Sequence, residues 1–223
     1  MVFSSCFSED LKFYKVHFPN IFYKIYKRIT CGYFLTGEAT PNYIIYPGAL
    51  ERIKKILPNV KLIVLMRNPI DRTFSAYRRY KRQGKEKRPF KDVIIYEINK
   101  IVKAQKEGKE IYYTDIYDKE SRRDDSCVLD SIYFLPLKRL FSIFGKNQVF
   151  LLKSEDLFTN PERIYQEILT FLEIPYFPFK EFKVYNKGQK EVMDRDSYRL
   201  LYDFFKPYNH QLVKLVGNKF YWF

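Results

Sequence analysis

Cysteine and histidine are scarce. Cys6, Cys31 and Cys127 lie far apart with no Cys-x-x-Cys pair, and His17 and His210 are the only imidazoles. A disulfide framework is not expected, and neither is a zinc site, which needs several Cys or His ligands at close spacing. Long apolar runs are lacking too: the longest aliphatic stretch, residues 62–66, is far short of the roughly 20 residues that cross a bilayer. The opening Met1-Val2-Phe3-Ser4-Ser5-Cys6-Phe7 has no basic segment and no extended apolar core, and Glu9 and Asp10 follow at once. No secretion signal is therefore expected, and the expected location is cytoplasmic. Alanine occurs only at Ala39, Ala49, Ala76 and Ala104, and tryptophan once, against 20 Tyr and 21 Phe. That skew is read as codon usage and is given no function. Internal repeats and low-complexity tracts are absent.

Acidic residues are in deficit, 26 against 40 Lys and Arg, which leaves a formal charge of +14. A polyanion, a membrane surface or a small anionic ligand would each suit that excess. The 223 residues are 46% apolar and 30% charged, enough for one domain with a sizeable core. Leu11, Tyr14, Phe18, Ile21, Phe22 and Ile25 fall at near-helical spacing around Pro19 and predict two short helices. Helices are also predicted over 47–57, 70–83, 90–106, 128–144 and 161–172, with a helix pair over 194–216 broken at Pro207. Residues 61–67 and 148–152 are continuously apolar and β-rich, as buried parallel strands are. Strands alternating with helices predict an α/β fold with a mostly parallel sheet.

Ligands of open α/β sheets gather at the carboxyl ends of the strands, where helix N-termini present free N–H groups. Arg67 ends the first strand and carries a fixed fork suited to a phosphate. Asn68 can cap the next helix with Pro69 in its first turn, Asp71 suits the positive helix end, and Ser75 lies about two turns along. Taken alone, these residues fit an anion site and an ordinary helix cap equally well.

The run Leu62-Ile63-Val64-Leu65-Met66-Arg67-Asn68-Pro69-Ile70-Asp71-Arg72-Thr73-Phe74-Ser75-Ala76-Tyr77 resembles the 3′-phosphate-binding motif of sulfotransferases that use 3′-phosphoadenosine 5′-phosphosulfate (PAPS). The heparan-sulfate type and its bacterial relatives are the nearest in kind. Thr36-Gly37-Glu38-Ala39-Thr40-Pro41-Asn42-Tyr43 resembles the family's Gly-acidic turn. Lys153-Ser154-Glu155-Asp156-Leu157-Phe158-Thr159-Asn160-Pro161 resembles its second-strand signature, and Phe171-Leu172-Glu173-Ile174, Asn186-Lys187-Gly188 and Phe205-Lys206-Pro207-Tyr208-Asn209 resemble later segments. The ordered set covers residues 8–222 as one sulfotransferase domain. The resemblance implies a P-loop-type three-layer α/β fold, PAPS as sulfuryl donor and no metal. It implies nucleotide contacts from Arg67, Ser75, Tyr133, Lys187, Gly188, Gln189 and Lys190, and puts Glu38, Ala39, Thr40 and Pro41 near the acceptor. The implied acceptor is a hydroxyl or amine, with anionic polysaccharides and glycans among the classes. Glu155 and Asp156 are read as caps and structural hydrogen-bond acceptors, and His17 as structural, since Lys15-Val16-His17-Phe18-Pro19 resembles the family's aromatic-x-x-x-Phe-Pro segment.

The family's opening Lys-x-Gly-[Ser/Thr]-[Ser/Thr] loop, which cradles the 5′-phosphosulfate, occurs nowhere in the 223 residues, and no catalytic base is assignable. The expectation is a domain truncated ahead of residue 8, without its first strand and loop. Apolar surface would then be exposed beside residues 61–67, and the chain alone would be poorly stable and inactive. Two other readings stay open. One is a non-catalytic binder of nucleotides or polyanions. The other is a nucleic-acid-binding module, prompted by Arg78, Arg79, Lys81, Arg82, Lys85, Lys87, Arg88 and Lys91, which against Glu86 leave +7 in residues 78–91. In that module Tyr77 and Tyr80 would stack on bases, but no nucleic-acid-binding motif accompanies them, and no nucleic-acid partner or membrane segment is expected.

Overall fold

The computed structural model describes residues 15–46, 48–108, 126–178, 181–182 and 191–223. Its centre is a parallel pair of strands, β1 (Leu62–Met66) and β2 (Val149–Lys153), in register from Leu62 opposite Val149 to Met66 opposite Lys153. Around them, in chain order, run α1 (Ile21–Cys31), α2 (Ala49–Ile56), α3 (Pro69–Arg82), α4 (Phe90–Lys106), α5 (Phe134–Ile143), α6 (Ser154–Thr159), α7 (Pro161–Leu172) and α8 (Arg195–Val216). This is the expected α/β arrangement of a parallel sheet flanked by helices.

Strand side chains alternate between faces. Leu62, Val64 and Met66 join Val149 and Leu151 on one face and pack with Ala49, Leu50 and Ile53 of α2, Leu137 and Leu140 of α5, and Phe144. On the other face Phe150 stacks on Phe171 of α7, ring centroids 5.1 Å apart, and Leu152 is buried. Ile63 and Leu65 of that face are 41% and 52% exposed. Among the described residues, β1 is paired along one edge only.

A second core lies between helices. Ile70, Tyr77 and Tyr80 of α3 meet Phe90, Val93, Ile94, Ile98 and Ile101 of α4, Val128, Ile132, and Leu201 and Phe205 of α8. The two cores are joined by α8, because Leu212, two turns beyond Phe205, belongs to the sheet-side core. The predicted break at Pro207 does not occur: α8 is one helix of 22 residues with Pro207 inside it. A mid-helix proline costs about 3 kcal/mol. Burying Phe205 and Leu212 on either side of it returns about 1.5–3 kcal/mol each, so packing outweighs local preference.

The other departures are also local. The helix expected over 128–144 is a 3-10 turn (Leu129–Ser131) followed by α5, with Pro136 in its first turn, where a missing N–H costs nothing. Of the two helices expected around Pro19, α1 starts just after it, capped by the Asn20 side chain on the Tyr23 N–H at 2.9 Å; most of the first lies outside the described residues. A 3-10 turn, Pro41–Ile44, precedes α2.

Candidate functional site

Arg67 is the first residue beyond β1, and Ser154 follows β2 at the same end of the sheet. The Asn68 Oδ1 accepts from the Ile70 N–H at 2.9 Å and caps α3, with Pro69 and Asp71 in its first turn. The chain therefore turns sharply from strand to helix at Arg67-Asn68, and two side chains from elsewhere fasten that turn. The Tyr133 hydroxyl donates to the Arg67 carbonyl at 3.0 Å and accepts from the Arg67 N–H at 3.3 Å. The Glu155 Oε1 accepts from the Asn68 N–H at 2.7 Å. Burial pushes the ionisation of the Tyr133 phenol up, so it stays neutral and able to donate and accept at once.

The backbone is thus held, while the side chain has no partner among the described residues. Arg67 is exposed, and no hydrogen bond or ion pair from its guanidinium is made to the described residues. Ser75, also exposed on α3, is likewise without a partner among them. Arg72 turns the other way: it donates to the Ser131 Oγ at 3.2 Å and pairs with Asp130 at 3.4 Å. The Ser131 Oγ in turn donates to the Cys127 carbonyl at 2.9 Å. Beneath this segment the buried Glu97 of α4 accepts from the Ser126 hydroxyl at 3.0 Å and from the N–H groups of Cys127 and Val128 at 3.0 and 2.7 Å. Residues 126–131 are therefore bound to α3 and α4 just ahead of Tyr133.

The turn at Glu38, Ala39, Thr40 and Pro41 is exposed apart from the half-buried Thr40. The Tyr43 N–H donates to the Thr40 carbonyl at 3.2 Å, and the ionisation of its phenol is raised, first by burial, with Thr40 opposing and Glu38 adding to the shift. Lys187, Gly188, Gln189 and Lys190 lie outside the described residues. The structure thus places Tyr133 directly on Arg67, puts Ser75 on the helix that Arg67 leads into, and keeps Glu38, Ala39, Thr40 and Pro41 in one turn ahead of Tyr43.

The basic stretch is less one-sided than its composition. Arg78 pairs with Glu191 at 3.2 Å, Arg88 with Glu86 at 2.6 Å and Lys91 with Asp196 at 2.9 Å. Tyr77 and Tyr80 are 3% and 4% exposed, and the Tyr77 hydroxyl donates to the Arg88 carbonyl at 2.9 Å. Neither ring is available to stack on a base, which removes the aromatic half of the nucleic-acid reading. Among the described residues no His, Cys, Asp and Glu cluster could hold a metal.

A family model described as the sulfotransferase domain matches residues 49–198. The chain belongs to the sulfotransferase domain family. The matched span runs from α2 into α8 and contains Arg67, Ser75, Tyr133 and Glu155. The chain is similar to the membrane-associated sulfotransferase kil1 of Dictyostelium discoideum, with 25% identity over 282 residues, covering 99% of this chain and 59% of that protein. It is similar to the bifunctional heparan sulfate N-deacetylase/N-sulfotransferase 1 of Xenopus laevis, 25% identical, over 80% of this chain and 22% of that one. Similarity to heparan sulfate glucosamine 3-O-sulfotransferase 5 of Mus musculus is 24% identity over 84% of this chain and 56% of the mouse protein. The chain thus spans less than two thirds of each of these relatives. Among solved structures, a sulfotransferase from Alicyclobacillus acidocaldarius shares the fold, with a TM-score of 0.62 and 24% identity, covering 86% of this chain and 70% of that one.

Glu97, Ser126, Asp130 and Ser131 were not anticipated as supports of the site. Glu155 was anticipated as a structural acceptor, but not its partner. The bond from Glu155 to Asn68 spans 87 positions and that from Tyr133 to Arg67 spans 66, and no local pattern announces either.

Proposed function

We propose that this sulfotransferase chain binds PAPS through its 3′-phosphate and serves transfer of the sulfuryl group to a hydroxyl or amine of a carbohydrate acceptor. The observation that carries the reading is a pair of side chains without partners among the described residues, Arg67 at a strand–helix turn whose backbone Tyr133 and Glu155 hold and Ser75 on the helix that follows. A guanidinium free of carboxylates among the described residues, beside the N-terminus of a helix, suits a phosphate dianion in charge and in geometry. Lys187, Gly188, Gln189 and Lys190 are proposed to close over the nucleotide, and Glu38, Ala39, Thr40 and Pro41 to border the acceptor. The donor, when bound, supplies an activated sulfuryl group, whose transfer depends on positioning and charge stabilisation more than on covalent help from the protein. The carbohydrate acceptor is supported by the heparan sulfate enzymes among the relatives.

Titration calorimetry with adenosine 3′,5′-bisphosphate tests the nucleotide site. Arg67→Ala is expected to weaken binding by about 10- to 100-fold, as loss of a charge-assisted pair does. Adenosine 5′-monophosphate, lacking the 3′-phosphate, should bind both proteins equally weakly. Equal affinity of wild type and Arg67→Ala for the bisphosphate would remove the proposal. A binder without transfer activity is the second reading, favoured by the lack of a Lys-x-Gly-[Ser/Thr]-[Ser/Thr] run in the 223 residues. Nucleotide binding without sulfate transfer from PAPS to a panel of glycans would select it.

A further inference from the structure

Helix α1 is built inside out for a packed domain: none of its 11 residues is buried. At about 100° per residue, Ile21, Ile25, Ile29, Phe22 and Tyr26 share one arc of about 140°, Arg28 and Lys24 follow on one flank of it, and Lys27 lies opposite. The apolar arc is the outward one. Phe22 and Ile29 are 78% and 79% exposed, whereas Lys24 and Lys27 are half-buried, with the Lys27 ammonium 5.6 and 5.8 Å from the Tyr23 and Tyr26 rings. Tyr23, at the margin of the arc, packs edge-on against Phe34 at 6.2 Å. The helix is stopped cleanly by Gly32 in the left-handed region, φ 77°. Between residues 15 and 37 there are Lys15, Lys24, Lys27 and Arg28 and no acidic residue.

We infer that α1 is an in-plane membrane-binding helix, and that its partner is a bilayer surface carrying anionic headgroups. The apolar arc would enter the boundary between headgroups and acyl chains, and Arg28 and Lys24 on its flank would extend their stems along it and keep their charges among the headgroups. Charge complementarity selects this occupant: an apolar arc with Arg28 and Lys24 on one flank, in a stretch from 15 to 37 that holds four Lys and Arg and no acid, matches an anionic interface. A second copy of the chain fits less well, because it would bring two sets of cations together. One helix face of about 16 Å also buries far less than the roughly 1,200 Å² of a stable protein interface. The helix is far too short to span a bilayer, and no described helix is long and apolar enough to do so. The inference does not rest on the nucleotide reading, since α1 contains none of the residues assigned to it.

The test is flotation of the full chain with phosphatidylcholine vesicles, alone or with about one third phosphatidylserine. Binding to the anionic vesicles should exceed binding to the neutral ones by about tenfold or more and weaken as salt is raised. Phe22→Gln with Ile29→Gln leaves the charge unchanged and should lower binding by about tenfold or more; Lys24→Gln, Lys27→Gln and Arg28→Gln together should do the same. All five positions lie on a helix with no buried residue, so circular dichroism and affinity for adenosine 3′,5′-bisphosphate should match wild type. Equal binding to both vesicle types, or no binding, overturns the inference. So does undiminished binding of the Phe22→Gln, Ile29→Gln protein, which would assign the attraction to residues 78–91. A dimer in light scattering that this double variant abolishes would make a second copy the occupant instead.

Discussion

Tyr133→Phe removes one oxygen atom and with it both bonds to the Arg67 peptide, at 3.0 and 3.3 Å. The ring remains, with its contact to Trp222 at 6.1 Å between centroids, so the change isolates the hydroxyl. Each hydrogen bond contributes about 0.5–1.5 kcal/mol net, and the loss should total about 1–3 kcal/mol, less whatever water recovers at the exposed Arg67. For a domain of this size that lowers Tm by about 2–10 °C. Nucleotide affinity should fall by less than in Arg67→Ala, because the guanidinium is still present but rests on a loosened turn. A fall of about three- to tenfold is expected. Urea unfolding and calorimetry with adenosine 3′,5′-bisphosphate read the two effects separately. Unchanged stability together with a loss of affinity as large as that of Arg67→Ala would refute the reasoning, because it would make the hydroxyl a direct ligand of the nucleotide. Unchanged stability and unchanged affinity would refute it equally, by showing that the turn holds itself.

The buried Glu97 offers a second test: its Oε1 takes the Cys127 N–H and its Oε2 the Val128 N–H. In Glu97→Gln one of those N–H groups must face an amide NH₂, and a loss of about 2–4 kcal/mol in the urea unfolding free energy is expected. The Arg88 guanidinium, with N–H groups of Arg88 and Lys87, lowers the Glu86 carboxyl from its ordinary 4.5 to about 2. Because the folded value is the depressed one, this pair's stabilisation is complete above about pH 4.5 and fades as the pH falls towards 2. The gap in urea midpoint between wild type and Glu86→Gln should therefore close over that window, and parallel curves would show that the pair contributes nothing. Lys81, Arg82, Lys85 and Lys87 have no carboxylate partner among the described residues, unlike Arg78, Arg88 and Lys91. Replacing those four by Ala should move elution from a heparin column to clearly lower salt, and unchanged elution would place the polyanion contact elsewhere.

Much of the fold was legible because its periodic runs are bounded by strong punctuation. α4 occupies residues 90–106 and α7 residues 161–172 as read from spacing, the latter capped by Asn160 on the Arg163 N–H. β1 was legible as a continuous apolar run and Arg67 as its end. Where the reading failed, a contact distant in sequence had overruled a local preference. Pro207 predicts a break, but Phe205 and Leu212 are anchored in different cores, and the helix between them cannot bend without emptying one of them. The site divides in the same way. Arg67 and Ser75 stand out because charge and position mark them; Glu97 does not, because an acidic residue on an amphipathic helix reads as solvent-facing until the loop at 126–128 is folded over it.

The same division explains how a single exposed arginine can be held in place without being neutralised. An arginine held through its guanidinium by a carboxylate would set that carboxylate in competition with any anionic ligand. Here the restraint falls on the peptide units instead: Tyr133 on Arg67, Glu155 on Asn68, and Asn68 on the start of α3. The ordering entropy of the turn is met on folding by groups that carry no charge towards the ligand side, apart from Glu155, whose charge is taken up by a backbone N–H. The remaining cost on binding is the rotamer freedom of one side chain, about 2 kcal/mol at most. Arg67→Lys therefore separates charge from geometry on an unchanged backbone. Any affinity it loses for adenosine 3′,5′-bisphosphate, relative to wild type, measures the guanidinium's two-point fit to the phosphate, and an affinity equal to wild type would show that a point charge on that turn is sufficient.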